Sequence, residues 1–321
     1  MQRVNSDPLI SVIVPTFNRA ALVGRAIRSI LTQTYENYEL IVVDDGSTDS
    51  TIAVLTTFGN PKVRCIRHST NRGVTAAKNT GLNAMAGDWF TFLDSDDEIE
   101  PHALEVLLEI PLKKDPSVNR VFCNAMDMSS GRMSGIGLSR DKYVGLDEMI
   151  GAMRGEFWGI IRGDILQGDR FNELLPGYEG ILWAKLAERS KGFYLHRSLR
   201  RYHTKGPDRL SRVRFDLEGE LCTQRVLLNE EEWLDQLRRF SPHGYMKQCT
   251  RGFLVALAMG DFKLADEWRG RSLLEGRMRW VSAFFRLLRL GGPRAAQMLI
   301  KTYQSVKPRF SNTMSRTVSH E

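Results

Sequence analysis

The sequence predicts an α/β fold: a mostly parallel central sheet flanked by helices, followed by a helical C-terminal appendage. Two observations carry this. Short β-branched runs alternate with segments of helical spacing through the first third of the chain, and strands alternating with helices build a parallel sheet covered on both faces. In addition, a polar cluster follows each run, and ligands of such sheets bind outside the carboxyl ends of the strands.

Ile10-Ser-Val-Ile-Val-Pro15 reads as a buried strand that stops at a proline. Ala20 to Gln33 has helical spacing, with Leu22, Ala26, Ile27, Ile30 and Leu31 on one face. Glu39 to Asp44 is a second buried strand, and Asp49 or Ser50 caps a helix carrying Ile52, Val54 and Leu55. Val63 to Arg67 is a third strand, Gly73 to Ala86 a third helix and Trp89 to Leu93 a fourth strand. Farther on, Val118 to Met126, Phe157 to Ile161 and Phe193 to Leu195 are strand-like. Helices are expected from about Asp164 and over Gly180 to Arg189. Helical spacing resumes after residue 216, with Leu217, Leu221, Val226 and Leu227, then Phe253 to Met259.

With 321 residues, the chain can hold one large domain plus an appendage. The expected division is 1–215 for the α/β domain, 216–275 for a helical appendage and 276–321 for a basic tail. No stretch offers the roughly 20 apolar residues that cross a bilayer, and the N-terminus lacks a signal-peptide pattern. Cys65, Cys123, Cys222 and Cys249 form no CxxC pair and read as buried free thiols of a reducing compartment. A cytoplasmic location is therefore expected.

The net charge of +7 is unevenly spread. From Gly276 onward nine Arg/Lys and one acid give +8, which leaves −1 for the remainder. In that tail Trp280, Val281, Phe284, Phe285, Leu287 and Leu288 share one helical face, and Arg279, Arg286 and Arg289 the opposite one. Large aromatics opposite arginines suit a helix lying on an anionic membrane surface; the alternative is a helix packed on its own domain. The recognition motifs of nucleic-acid-binding proteins are missing.

The acidic cluster Leu93-Asp-Ser-Asp-Asp97 directly follows the apolar run Trp89-Phe-Thr-Phe92. Carboxylates gathered at the end of a buried strand are costly unless something offsets their charge. A hard divalent cation that bridges to phosphates does so, which points to a metal and a phosphorylated substrate. The alternative for Asp97 and Glu98 is to cap the helix that starts near Pro101.

Five motifs occur in order: Val12-Ile-Val-Pro-Thr-Phe-Asn-Arg19, Gln33 through Asp49 with Asp44-Asp-Gly-Ser47, Asn71-Arg-Gly73, Ala77-Lys-Asn-Thr-Gly81 and Phe92-Leu-Asp-Ser-Asp-Asp97. Together they resemble the family 2 glycosyltransferases of the GT-A fold, whose first half is a Rossmann-like nucleotide-binding sheet. The resemblance implies inverting transfer of a sugar from a nucleotide diphosphate sugar, often UDP-linked, to an acceptor hydroxyl. It implies that Asp96, with Asp94, holds Mn²⁺ or Mg²⁺, and that Asp94 and Ser95 lie near the sugar or ribose. Pro15, Thr16 and Phe17 then contact the nucleoside, Asp45 accepts a hydrogen bond from the base, and Arg72 and Lys78 face base and phosphates. Residues 1–100 become the donor half and 101–215 the acceptor half.

Inversion requires a base on the acceptor side. The family supplies it from a Glu-Asp pair, which places Glu179 as the base here, although Gly180 stands where the aspartate would be. Glu173 and Asp169 are the alternatives. His203, in Arg201-Tyr-His-Thr204 with Ser211 beyond, matches a late histidine that approaches the diphosphate or metal. Trp158 and Trp183 either line the acceptor site or pack in the core. A saccharide or lipid-linked acceptor in polysaccharide or glycan assembly, at the inner face of the membrane, completes the expectation. Two other readings remain: a sugar-phosphate nucleotidyltransferase, whose glycine-rich basic loop is missing after the first strand, and a non-catalytic nucleotide- or carbohydrate-binding module.

Overall fold

The computed structural model describes residues 7–204, 216–273 and 288–300. The chain divides into two compact units, Met1–Arg209 and Leu210–Glu321. The first unit runs β1 (Ile10–Thr16), α1 (Val23–Leu31), β2 (Tyr38–Asp44), α2 (Thr51–Thr56), β3 (Val63–Arg67), α3 (Val74–Ala84), β4 (Trp89–Phe92) and β5 (Glu98–Ile99). It continues with α4 (Ala103–Glu109), β6 (Arg120–Asp127), β7 (Arg132–Met133), β8 (Lys142–Val144), α5 (Leu146–Gly151), β9 (Phe157–Arg162), α6 (Gly180–Glu188) and β10 (Gly192–Tyr202).

One sheet carries the strands in the order β3-β2-β1-β4-β9-β6-β10-β5. β1 pairs in parallel with both β2 and β4, and β2 with β3. β9 is antiparallel to β4 and β6, while β10 is parallel to β6. The chain leaves β1 toward β2 and β3, then returns to the other side of β1 as β4. The crevice at this reversal is where such sheets bind ligands.

Side chains of a strand alternate between the two sheet faces. Ile10, Val12 and Val14 enter a core with Ala26, Ile27 and Ile30 of α1 and Leu104, Leu107 and Leu108 of α4. Ile13, Ile41 and Val43 face the other way, onto Ala77 and Leu82 of α3 and Leu182 and Leu186 of α6. Both faces of β1 are therefore buried, which explains its unbroken apolar sequence. The α3–β1 approach is close enough that a Cβ on Gly81 would lie 2.3 Å from Ile13 Cγ2. Gly81→Ala is expected to destabilise the domain by about 1–3 kcal/mol through overpacking, read as a lowered urea midpoint at unchanged m.

The second unit is helical: α7 (Leu217–Leu227), α8 (Glu231–Phe240), α9 (Pro242–Ala258), α10 (Phe262–Leu273) and a helix over 288–300. Asp216 caps α7 by accepting from the Glu218 and Gly219 amides, and Pro242 opens α9 where its missing N–H costs nothing. The core gathers on α9, where Tyr245, Cys249 and Phe253 are buried with Trp268 of α10. Trp268 sits so close to Gly252 that a Cβ there would meet its ring at 2.5 Å.

Three expectations need correction. The segment from Asp164 is only a 3₁₀ turn, Gly163–Leu166, ended by Gln167 in the left-handed region (φ 46°) and Gly168 (φ 88°). Cys65 and Cys222 are exposed; only Cys123 and Cys249 are buried, and all four are free. Cys65 is exposed because β3 is an outermost strand of the sheet, with little covering it. Helix α1 starts at Val23 rather than Ala20, because the preceding residues are drawn into the loop described next. Among the described residues no helix is long and apolar enough to cross a membrane.

Candidate active site

The parallel register lines up the strand ends. The Asp45 amide donates to the Thr16 carbonyl at 2.8 Å, His68 N to Asp44 O at 2.8 Å, and Leu93 N to Ile13 O at 3.0 Å. Beyond β1 the chain turns at Asn18, a left-handed residue with φ 51°. The turn is pinned to the loop after β2: Asn18 N donates to Ser47 Oγ (2.9 Å), Thr48 N to Asn18 Oδ1 (2.8 Å) and Arg19 N to Thr51 Oγ1 (2.8 Å). Phe17 is thereby left 38% exposed, a ring turned out of a buried strand. Pro15 is buried in register with Val43. Thr16 Oγ1 is buried without a hydrogen-bond partner, a cost that a bound polar ligand would remove.

Asp45 departs from the expectation of a carboxylate open to a base. It is 2% exposed and braces the following loop. Its Oδ1 accepts from Arg72 N (2.9 Å) and His68 Nδ1 (2.6 Å), and its Oδ2 from Gly73 N (2.7 Å). His68 Nε2 in turn meets Thr80 Oγ1 at 2.9 Å. These bonds fix the turn that displays Arg72 and opens α3.

Asp94 to Asp97 form a tight turn, closed by Asp97 N donating to Asp94 O (3.0 Å), with Ser95 buried inside it at 7% exposure. The charge offset that the sequence demanded is partly internal. Arg200 of β10, 5% exposed, donates Nη2 to Asp94 Oδ2 (2.6 Å) and Nε to Asp97 Oδ2 (2.7 Å), and its Nη1 lies 3.8 Å from Glu156. Asp97, 1% exposed, also accepts from His203 N at 2.9 Å. Burial pushes the Asp97 carboxyl up to about 6 against the pull of Arg200. Burial also opposes ionisation of Asp94, but the charges of Arg200 and Lys78 outweigh it and hold Asp94 below the usual carboxylate range. Burial of Arg200 is likewise outweighed by Asp94, Asp97 and Glu156, so its pKa rises above normal and it stays charged.

Asp96 is placed differently. Arg25 Nη2 grips its backbone carbonyl, and among the described residues no hydrogen bond or ion pair engages its carboxylate. Arg25 Nε also lies 3.4 Å from Glu98 Oε2. That oxygen accepts from His203 Nε2 at 2.9 Å, which leaves Nδ1 as the open nitrogen of the ring. No group of three or more His, Cys, Asp or Glu suited to a metal occurs among the described residues. A free carboxylate on Asp96 and a second oxygen on Asp94 still match what Mg²⁺ or Mn²⁺ takes from a protein when substrate phosphates and water complete the shell.

Glu179 stands at the N-cap of α6. Its Oε1 lies 3.7 Å from Lys78 Nζ of α3, both side chains largely buried. The other two acids considered for the base are committed elsewhere: Glu173 to Arg72 (3.1 Å) and Asn79 (3.0 Å), Asp169 to Arg189 (2.6 Å). A Cβ on Gly180 would meet nothing within 4 Å, so the missing aspartate is not a steric exclusion. Lys78 rests over the rings of Phe92 and Phe171, and Trp183 packs edge-on against both. Trp158 does not line a site: it is 4% exposed and donates Nε1 to Phe92 O at 2.9 Å.

Arg200, Arg25 and Glu156 escaped the sequence reading. Arg200 neighbours Arg201, which pairs with Glu100, and alternation along β10 would send only one of the two inward. Register shifts at Leu195/Ser198 and Ser198/Arg200 break that alternation and bury Leu199 and Arg200 together. Ser211 and residues 276–287 and 301–321 of the basic tail lie outside the described residues.

Comparison with known proteins identifies the family. The model of the Glycosyl transferase family 2 domain matches residues 11–153. The chain is 32% identical over 261 residues to the GalNAc(5)-diNAcBac-PP-undecaprenol beta-1,3-glucosyltransferase of Campylobacter jejuni, covering 78% of this chain and 82% of that protein. It is 40% identical over 122 residues to an uncharacterized glycosyltransferase of Haemophilus influenzae, a match spanning 36% of this chain and only 49% of that relative. Among solved structures, S. aureus TarS 1–349 in complex with UDP-GlcNAc shares the fold, with TM-score 0.62 at 19% identity over 82% of this chain and 79% of that one. On these likenesses the chain belongs to glycosyl transferase family 2.

Proposed function

We propose that the protein transfers a sugar, with inversion, from a nucleotide diphosphate sugar, UDP-linked in the first instance, to a hydroxyl of a saccharide or lipid-linked acceptor. The observation that carries this reading is the shared lysine. Lys78 acts on the charge of Asp94 on the donor side and lies 3.7 Å from Glu179 on the acceptor side. One cation thus lies beside the acceptor carboxylate and within electrostatic reach of the donor one.

In this reading Glu179 removes the proton of the acceptor hydroxyl, whose oxygen forms the new bond to the anomeric carbon as the bond to the diphosphate breaks. Phe17 and the unpartnered Thr16 hydroxyl receive the nucleoside. Arg72 and Lys78 balance the charge that the departing diphosphate gains. Asp96, with Asp94, would hold Mn²⁺ or Mg²⁺, which supplies Lewis-acid neutralisation of that leaving group. His203, its Nε2 bonded to Glu98, has Nδ1 left for the metal or the diphosphate. The lipid-linked acceptor draws support from the C. jejuni relative, whose name specifies an undecaprenol-linked substrate. The basic residues beyond 276 are our candidate for holding the enzyme at the inner membrane surface.

The test is thermal stabilisation by nucleotides and nucleotide sugars with and without Mn²⁺, followed by product analysis. A ligand at 100 times its Kd stabilises the native state by about 2.7 kcal/mol. UDP with Mn²⁺ is expected to raise Tm, EDTA to abolish most of the shift, and turnover to release nucleoside diphosphate. Release of pyrophosphate would assign nucleotidyl transfer instead, and binding without turnover of any donor would leave a binding module.

A further inference from the structure

Asn79 is a buried polar residue, 6% exposed, that the proposed chemistry leaves unused. It lies on α3 between Lys78 and Thr80, yet its side chain bonds to a segment more than 90 residues away, with |i−j| of 92. Its Oδ1 accepts from Phe171 N at 2.9 Å and its Nδ2 donates to Phe171 O at 2.9 Å. The amide therefore pairs with one backbone unit in both directions, as a neighbouring strand would. The same Nδ2 donates to Glu173 Oε1 at 3.0 Å, and Glu173 Oε2 takes Arg72 Nη2 at 3.1 Å. Four residues beyond Glu173 the segment turns at Gly177 (φ 83°) and enters α6 through Glu179.

We propose that Asn79 is a positioning residue for Glu179: its two bonds to Phe171 fasten the segment that carries the base onto the helix that carries Lys78. Without those bonds 167–179 is a long connection, held to α3 and the turn before it, among the described residues, by the Arg72–Glu173 and Lys78–Glu179 pairs and the exposed Arg170–Asn83 bond. The first is half exposed, and exposed pairs contribute little. A base must sit within hydrogen-bond reach of its proton, and a displacement of about 1 Å costs on the order of 10²-fold in rate. Asn79 touches neither reacting group, so it acts only through where it sets Glu179.

The proposal rests on Glu179 being the base, and the experiment separates the two. Donor affinity, kcat and KM are measured for Asn79→Ala, Glu179→Gln and the double variant of the full chain. We expect Asn79→Ala to lower kcat by roughly 10²-fold with nucleotide affinity within about threefold of wild type, and the double variant to be no slower than Glu179→Gln alone. Losses that multiply in the double variant, or a loss of donor affinity matching the loss in rate, would overturn the positioning role. Full activity of Glu179→Gln would instead remove the base assignment, whatever Asn79 does. If Asn79→Ala does not fold, Asn79→Ser, which keeps a polar atom but cannot span both backbone groups, takes its place with the same expected outcomes.

Discussion

Glu179→Gln is expected to lower the transfer rate by about 10²–10⁴-fold while leaving nucleotide binding intact. Glutamine keeps the size and polarity of the side chain but cannot accept the acceptor proton. Lys78, 3.7 Å away, loses a partner but keeps its place over Phe92 and Phe171, so the donor side should survive. Steady-state kinetics with a defined acceptor, alongside calorimetric titration with the nucleoside diphosphate, read the two effects separately. Of the three acids weighed for the base, only Glu179 lacks a short hydrogen bond to another side chain among the described residues. An unaffected rate in Glu179→Gln would return Glu173 and Asp169 to consideration.

Arg200→Met should be the most damaging substitution to the fold itself. It removes the cation from a buried site and strands Asp97, 1% exposed, with a single backbone amide. Breaking a buried pair by deleting one partner costs about 3–5 kcal/mol, measurable by urea unfolding. The pH dependence has a defined sign. Burial already pushes Asp97 up to about 6, above its unfolded value, so the folded state binds the extra proton and stability from this group falls as pH rises through that region. Without Arg200 the carboxyl rises further, so the deficit of the variant against wild type should shrink as pH is lowered from 8 toward 5. A deficit that grows toward acid pH would show that Asp97 is ionised in the variant and held by other groups. Arg200→Lys should fall between the two, because a lysine cannot offer a planar fork to Asp94 and Asp97 together.

The donor half was legible because its signals are local. Ile10 to Pro15 and Glu39 to Asp44 are buried on both faces and read as continuous apolar runs, and each ends where a polar turn begins. The acidic cluster was readable as an electrostatic debt. What offsets part of that debt was not, because Arg200 is brought to it by irregularities in β10 that no residue pattern announces. Asp45 shows a subtler limit. Its place at a strand end was evident, but its two oxygens are claimed by amides of Arg72 and Gly73, contacts set by the turn rather than by residue type. Asp164 failed for a local reason: Gln167 and Gly168 take left-handed conformations that end the turn before a helix can form.

The Arg200–Asp97 pair also has a consequence for how the chain comes to be folded. The two residues are separated by 103 positions, and closing so long a loop is slow because its entropy is lost before any contact rewards it. On a ribosome, every donor-side strand from β1 to β4 emerges well before β10 does. Until β10 arrives, Asp97 lacks its guanidinium partner, and of the two cations that hold Asp94 only Lys78 is in place. The strand-end acidic cluster is therefore completed by one of the last strands of its unit to be synthesised, and nascent chains that stop short of β10 carry that cluster without the arginine that pairs with it.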